Sequence, residues 1–182
     1  MAFRILILAG ALALGGCAAT AQRSLPSVAA VEYHLAPGDK LKLAVFREET
    51  LSGEYTVNED GAISLPMVGD FKVAGKSLDQ AREELTRTLG ASYVRDARIS
   101  LDMVDYRPVF ILGEVQKPGE YDYAQRMSVY ALVAKAGGFT YRANEKVVYI
   151  RHGNEGEESA YALTSGAAIL PGDTVRIGAR YF

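Results

Sequence analysis

The sequence predicts an α+β fold: two small β-rich units, each with one helix, behind a cleaved N-terminal signal segment. Three observations carry this. Apolar residues alternate at strand period in short runs broken by Gly, Pro and Asp. Two stretches show helical spacing behind a capping serine. A Pro-Gly-Asp turn leads into an alternating strand near each end of the body, at Pro37-Gly38-Asp39 and at Pro171-Gly172-Asp173. The 182 residues are 49% hydrophobic and 23% charged, enough to build a core without disulfides and unlike a disordered chain. The expected divisions are 1–16, signal peptide; 17–30, tether; 31–106, first unit; 107–182, second unit.

Arg4 is followed by an apolar run from Ile5 to Leu14. Ten such residues are too few for a bilayer-spanning helix, which needs about 20, but suit the core of a signal peptide. The run ends in Leu14-Gly15-Gly16-Cys17. This resembles the lipobox of a bacterial lipoprotein precursor: small residues before the cut, then the thiol that takes the lipid. Cys17 is the chain's only cysteine, and lipidation there is expected. The alternatives are an ordinary secretory signal with an incidental cysteine, or a buried free thiol. Ala18, where Asp would signal retention at the inner membrane, implies the outer membrane by the same resemblance. Residues 18–30 are small and polar and read as a flexible tether.

In the first unit, Leu41, Leu43 and Val45 alternate with Lys40 and Lys42, a half-buried strand. Residues 54–58 and 62–65 flank Glu59-Asp60-Gly61, which predicts a hairpin. Ser77 and Gln80 form a capping box, and Leu78, Ala81, Leu85 and Leu89 share one stripe of a helix over 77–89. A strand over about 97–104 follows, and Arg107-Pro108 marks the boundary.

The second unit opens with a strand from Val109 to Val115, a Lys117-Pro118-Gly119 turn, and alternation at Tyr121 and Tyr123. Ser128 caps a short helix bearing Val129, Leu132, Val133 and Ala136, ended by Gly137-Gly138. Gly119 and Gly138 are both expected at positive φ. Strands at 147–150 and 160–163 enclose a polar loop, and the last strand carries Val175 and Ile177.

The net charge of −2, with scattered basic residues, argues against a nucleic-acid binder. One cysteine and two distant histidines, His34 and His152, offer no metal site. No nucleophile motif or phosphate loop is present, so no catalytic residue, no cofactor and no ligand-binding residue is named. Glu48-Glu49 and Glu157-Glu158 read as solvated loop charges, and His34 as structural or exposed.

Two motif strings carry a resemblance across roughly residues 31–178. The first runs Leu35-x-Pro37-Gly38-Asp39-x-Leu41-x-Leu43, then Asp60-Gly61-x-Ile63-x-Leu65-Pro66-x-x-Gly69, then Val73-x-Gly75 and the capped helix. It resembles the polysaccharide export domain of the Wza-like outer-membrane polysaccharide export lipoproteins. The second runs Val109-x-Ile111-x-Gly113-Glu114-Val115-x-x-Pro118-Gly119-x-Tyr121, then Leu132 and Ala136-Gly137-Gly138. It resembles the SLBB β-grasp domain of the same family. The resemblance implies a lipid-anchored, periplasm-facing protein at the outer membrane and a homo-oligomeric ring. It implies a polysaccharide cargo and an inner-membrane copolymerase as partner. The family's best-known members carry a C-terminal amphipathic helix that forms the outer-membrane barrel. This sequence reaches Phe182 without one, so the expectation is that attachment rests on lipid and that any pore is either completed by another protein or confined to the periplasm. A second reading, from another class, is a tethered β-grasp module that binds a glycan or a partner without any channel. A large discrete oligomer would separate the two.

Overall fold

The structure, a computed structural model, describes residues 23–27, 32–94, 96–153 and 155–180. The signal segment 1–16 and Cys17 lie outside the described residues. The described chain begins with a two-residue strand, β1 (Arg23–Ser24).

Alternation sets the first sheet. In β2 (Lys40–Val45) every second residue is buried, and Leu41 and Leu43 are almost fully excluded from solvent. β3 (Gly53–Thr56) pairs antiparallel with one edge of β2. β4 (Ala62–Leu65) and β5 (Gly69–Lys72) form a separate antiparallel hairpin. The expected hairpin between residues 54–58 and 62–65 is therefore a correction. The turn at Asp60-Gly61 exists, closed by Gly61 N–H on Asn58 O and by Ala62 N–H on the Asn58 side chain. Its two arms, however, pair with different strands. Partner choice follows burial: Tyr55 lies opposite Leu41, whereas Ile63 lies opposite Phe71 on β5.

The helix α1 (Leu78–Ser92) begins where the capping box places it. Ser77 Oγ accepts the Gln80 N–H at 3.3 Å and Gln80 Oε1 accepts the Ser77 N–H at 3.0 Å. Such a cap contributes about 1 kcal/mol. The helix runs three residues past the expected end and buries Ala81, Leu85 and Leu89. β6 (Ile99–Asp105) completes the three-stranded sheet on the other edge of β2. These residues share one core with Ile63, Phe71 and Val73.

The second unit contains β7 (Val109–Gly113), β8 (Gly119–Tyr121), α2 (Val129–Lys135), β9 (Ala143–Arg151), β10 (Ser159–Ala162) and β11 (Thr174–Ala179). One six-stranded sheet runs in the order β1-β10-β9-β11-β7-β8. β11 is parallel to β7 and β1 is parallel to β10. α2 is capped by Ser128 and buries Val129, Leu132 and Val133 in this unit's core. Gly137 and Gly138 close the helix at φ 84° and 96°. Gly119 is not at positive φ among the described glycines; it opens β8 as ordinary strand, which corrects that expectation. Gly113 is the glycine with least freedom to change. It sits at φ 85°, and a Cβ there would lie 2.1 Å from the Ile177 carbonyl oxygen.

Residues 17–30 were expected to be a flexible tether, and the described part of that segment is not. β1 adds a strand to the second unit's sheet, Ser27 bridges Ala167, and Leu25 is buried in the second unit's core. Leu25 supplies the reason: a buried leucine offsets the ordering cost by about 2 kcal/mol. The chain thus touches the second unit before it builds the first.

Candidate functional site at the seam between the units

The two Pro-Gly-Asp turns are one device built twice. Gly38 and Gly172 take φ 94° and 87°, the left-handed conformation that a turn with Pro before Gly requires. Each aspartate then folds back on its own turn. Asp39 Oδ2 accepts the Ala36 N–H at 2.8 Å, and Asp173 Oδ2 accepts the Leu170 N–H at 2.8 Å. The backbone N–H of each donates to the same residue's carbonyl, at 3.2 Å and 3.1 Å. Both carboxylates are buried, at 0% and 1% exposure.

Their remaining oxygen atoms face the seam. Asp173 Oδ1 accepts from His152 Nδ1 at 3.0 Å. This carboxylate raises the imidazole pKa above its ordinary value, against the opposing effect of burial. Asp39 Oδ1 faces Arg107 Nε at 3.6 Å. That is too long for a hydrogen bond, and both atoms are buried without another partner. Asp39 Oδ2 also accepts from the Tyr33 hydroxyl at 2.5 Å. Burial, then the Asp39 carboxylate, push the Tyr33 pKa well above the usual phenol range.

Arg107 joins the two turns. It leaves the backbone at the boundary, and its side chain lies against both glycines. A Cβ on Gly38 would come within 3.3 Å of Arg107 Cγ, and one on Gly172 within 3.0 Å of Arg107 Nη1. Gly172 N–H donates to Pro108 O at 3.0 Å. Tyr33, Tyr106 and Tyr123 form an edge-to-face series beside it, with ring centroids 5.4 and 5.3 Å apart. A cavity of about 330 Å³ opens here, lined by Tyr33, Pro37, Arg107, His152, Glu155 and Pro171 among others.

The seam's contacts hold the two turns in place: each carboxylate accepts a backbone N–H from its own turn, Asp39 also accepts from the Tyr33 hydroxyl, and Asp173 pairs with His152 Nδ1. Among the described residues no group of three or more His, Cys, Asp or Glu could hold a metal ion. No described helix is long and apolar enough to cross a membrane. His34 is exposed at the cavity rim, as expected. Glu158 is more than a solvated charge, since it pairs with Arg176 through contacts as short as 2.7 Å. Sequence reasoning missed His152, Arg107 and the buried role of the two aspartates. The repeated Pro-Gly-Asp was the one available signal.

The class of protein follows from comparison with known families. The family profile described as polysaccharide biosynthesis/export protein matches residues 27–104, and the SLBB domain profile matches residues 108–161. The chain carries a polysaccharide export domain followed by an SLBB domain, in the order the motifs indicated. Among individual proteins, it is 34% identical to the exopolysaccharide production protein ExoF of Rhizobium meliloti (strain 1021), over 76% of this chain and 36% of the relative. It is 28% identical to the polysialic acid transport protein KpsD of Escherichia coli, over 82% of this chain and 28% of the relative. It is 29% identical to the EPS I polysaccharide export outer membrane protein EpsA of Ralstonia nicotianae (strain ATCC BAA-1114 / GMI1000), over 79% and 40%. The chain spans roughly a third of the length of these curated relatives.

Proposed function

We propose that this chain is a component of exopolysaccharide or capsule export across the outer membrane. It is anchored by lipid at Cys17, faces the periplasm, and contributes to a homo-oligomeric ring that receives polymer from an inner-membrane copolymerase. The observation that carries this reading is the adjacency of an export domain and an SLBB domain in one chain, behind a lipobox. The relatives, named for exopolysaccharide production, polysialic acid transport and polysaccharide export, support it. The part played is that of a conduit: a polymer that must slide needs many weak, wet contacts and no bond chemistry. A clasped seam suits this task, because it holds two domains at a fixed angle in every subunit of a ring.

The test has three arms. Removing the gene should abolish surface polysaccharide while polymer accumulates inside the cell, and the intact gene should restore export. Imaging of the detergent-solubilised, lipidated protein should show a ring with a central hole. Cys17→Ser should release the protein from membranes, with mass spectrometry of the wild type finding a lipid-modified N-terminal cysteine. Normal export without the gene would refute the reading. A monomer that binds glycan would favour the tethered binding module instead.

A further inference from the structure

The first unit's sheet ends in a polar bowl lined in part by a partly exposed aromatic ring. Phe46 follows directly on β2, and its side chain is 56% exposed. Its N–H donates to Arg98 O at 3.0 Å, which ties it to the start of β6. Two guanidiniums flank the ring: Arg47 Cζ lies 5.0 Å from the ring centroid and Arg98 Cζ 6.0 Å. With Glu48, Val94 and Asp96 they line a cavity of about 540 Å³.

This bowl is built, not incidental. Arg47 and Asp96 sit at φ 63° and 56°, two of the four non-glycine residues at positive φ among those described. Each such residue costs about 1–2 kcal/mol. Strain of this kind persists where surrounding structure enforces it, and here the enforcement is visible. Ser52 Oγ accepts the Val45 N–H at 2.9 Å and donates to Glu48 O at 2.9 Å, and Glu48 N–H donates to Val45 O at 3.1 Å. The loop that carries Phe46 and Arg47 is therefore pinned from within, and the ring it presents stays partly exposed beside the two guanidiniums.

The composition of the bowl selects its ligand. An apolar ring offers a face to the C–H side of a pyranose. Planar guanidiniums and carboxylates offer paired donors and acceptors to neighbouring hydroxyls. Among the described lining residues two arginines stand against two carboxylates, Glu48 and Asp96, so their charges balance. A protein helix would need an extended apolar groove, and this cavity has one ring. The geometry points to a saccharide subsite formed by Phe46, Arg47, Glu48, Asp96 and Arg98, sized for one or two sugar residues of the exported polymer. The inference rests on the export reading and adds to it a place where the polymer is touched.

The experiment uses the full lipidated chain in detergent and short oligosaccharides released by mild acid from the exopolysaccharide of the producing cells. Saturation-transfer NMR should show sugar C–H signals for the wild type. Phe46→Ala should weaken binding by about tenfold, equivalent to about 1.4 kcal/mol. Phe46→Tyr should retain binding, and Arg98→Ala should weaken it independently of the ring. Tyr141→Ala, at a ring 80% exposed and outside the bowl, should bind as wild type. Undiminished binding by Phe46→Ala, or no binding by the wild type, would overturn the subsite. So would loss of oligomer by Phe46→Ala with glycan binding intact, which would make the bowl a protein contact. Gene-deletion export tests the wider reading without involving Phe46, so the two can fail separately.

Discussion

Replacing Asp39 by alanine should be among the costliest polar substitutions in the first unit. The carboxylate is fully buried and accepts two short hydrogen bonds, from the Ala36 N–H and the Tyr33 hydroxyl. Hydrogen bonds to a charged acceptor contribute about 1.5–3 kcal/mol each. Both Tyr33 and Ala36 border the seam cavity, but Ala36 is buried and Tyr33 only half-buried, so the Tyr33 hydroxyl recovers more of its loss from water. The expected net cost is about 3–4 kcal/mol, a large share of the 5–15 kcal/mol typical of a folded domain. Asp39→Asn keeps an acceptor for Ala36 and should cost about half as much. Arg107→Ala should cost less still, because the pair at 3.6 Å is not hydrogen-bonded. Urea unfolding followed by tyrosine fluorescence is the natural assay, since the chain has eleven tyrosines and no tryptophan. With a slope of about 1–3 kcal/mol per molar urea, the Asp39→Ala midpoint should fall by roughly 1 M or more. A loss within about 0.5 kcal/mol, the range of ordinary surface substitutions, would refute the view that this carboxylate closes the turn.

Three further outcomes follow from named contacts. His152 has its pKa raised by Asp173, so its contribution to stability is complete below the ordinary imidazole value of about 6.5 and is lost as pH rises through the folded value; thermal midpoints measured across that window should fall with pH, and His152→Gln should flatten the dependence. Gly113→Ala should cost about 3 kcal/mol or more, combining a left-handed φ with collision against the Ile177 carbonyl, while Gly119→Ala, with nothing within 4 Å of its added Cβ, should be within about 0.5 kcal/mol of neutral in the same urea titration. Leu25→Ala should cost about 2–3 kcal/mol and expose the N-terminal segment to limited proteolysis; equal protease resistance in wild type and variant would argue that β1 is not held by its leucine.

Element positions were legible because they depend on local pattern. The period-two runs of β2 and β11 and the Ser77–Gln80 box each state their own structure within a few residues. Pairing was not, because it depends on residues far apart. Nothing near Glu59-Asp60-Gly61 says that Tyr55 will face Leu41 while Ile63 faces Phe71. A weak, polar N-terminal stretch gave no sign that Leu25 belongs to the core of residues 109–177. The seam was half-visible. The repeated Pro-Gly-Asp marked both turns, but an aspartate after glycine reads as a surface turn residue. Its burial arises only when Arg107 and His152, distant in sequence, come to rest beside it. Phe46 was hidden for the opposite reason: in a strand-rich sequence an aromatic next to an alternating run looks like core.

The placement of β1 bears on how the chain folds as it is delivered. A chain under synthesis emerges from its N-terminus. Residues 32–106 hold their own core and need nothing downstream to close it. Arg23 and Ser24 must wait for Tyr161 and Ala162. Arg23 and Ser24 are therefore among the first described residues to appear and among the last to be paired. Until β10 arrives, β1 has no strand to pair with. Once β10 docks, the chain closes like a drawstring around the already folded first unit. Closure of the first unit and completion of the second unit's sheet are thereby placed in a fixed temporal order by topology alone.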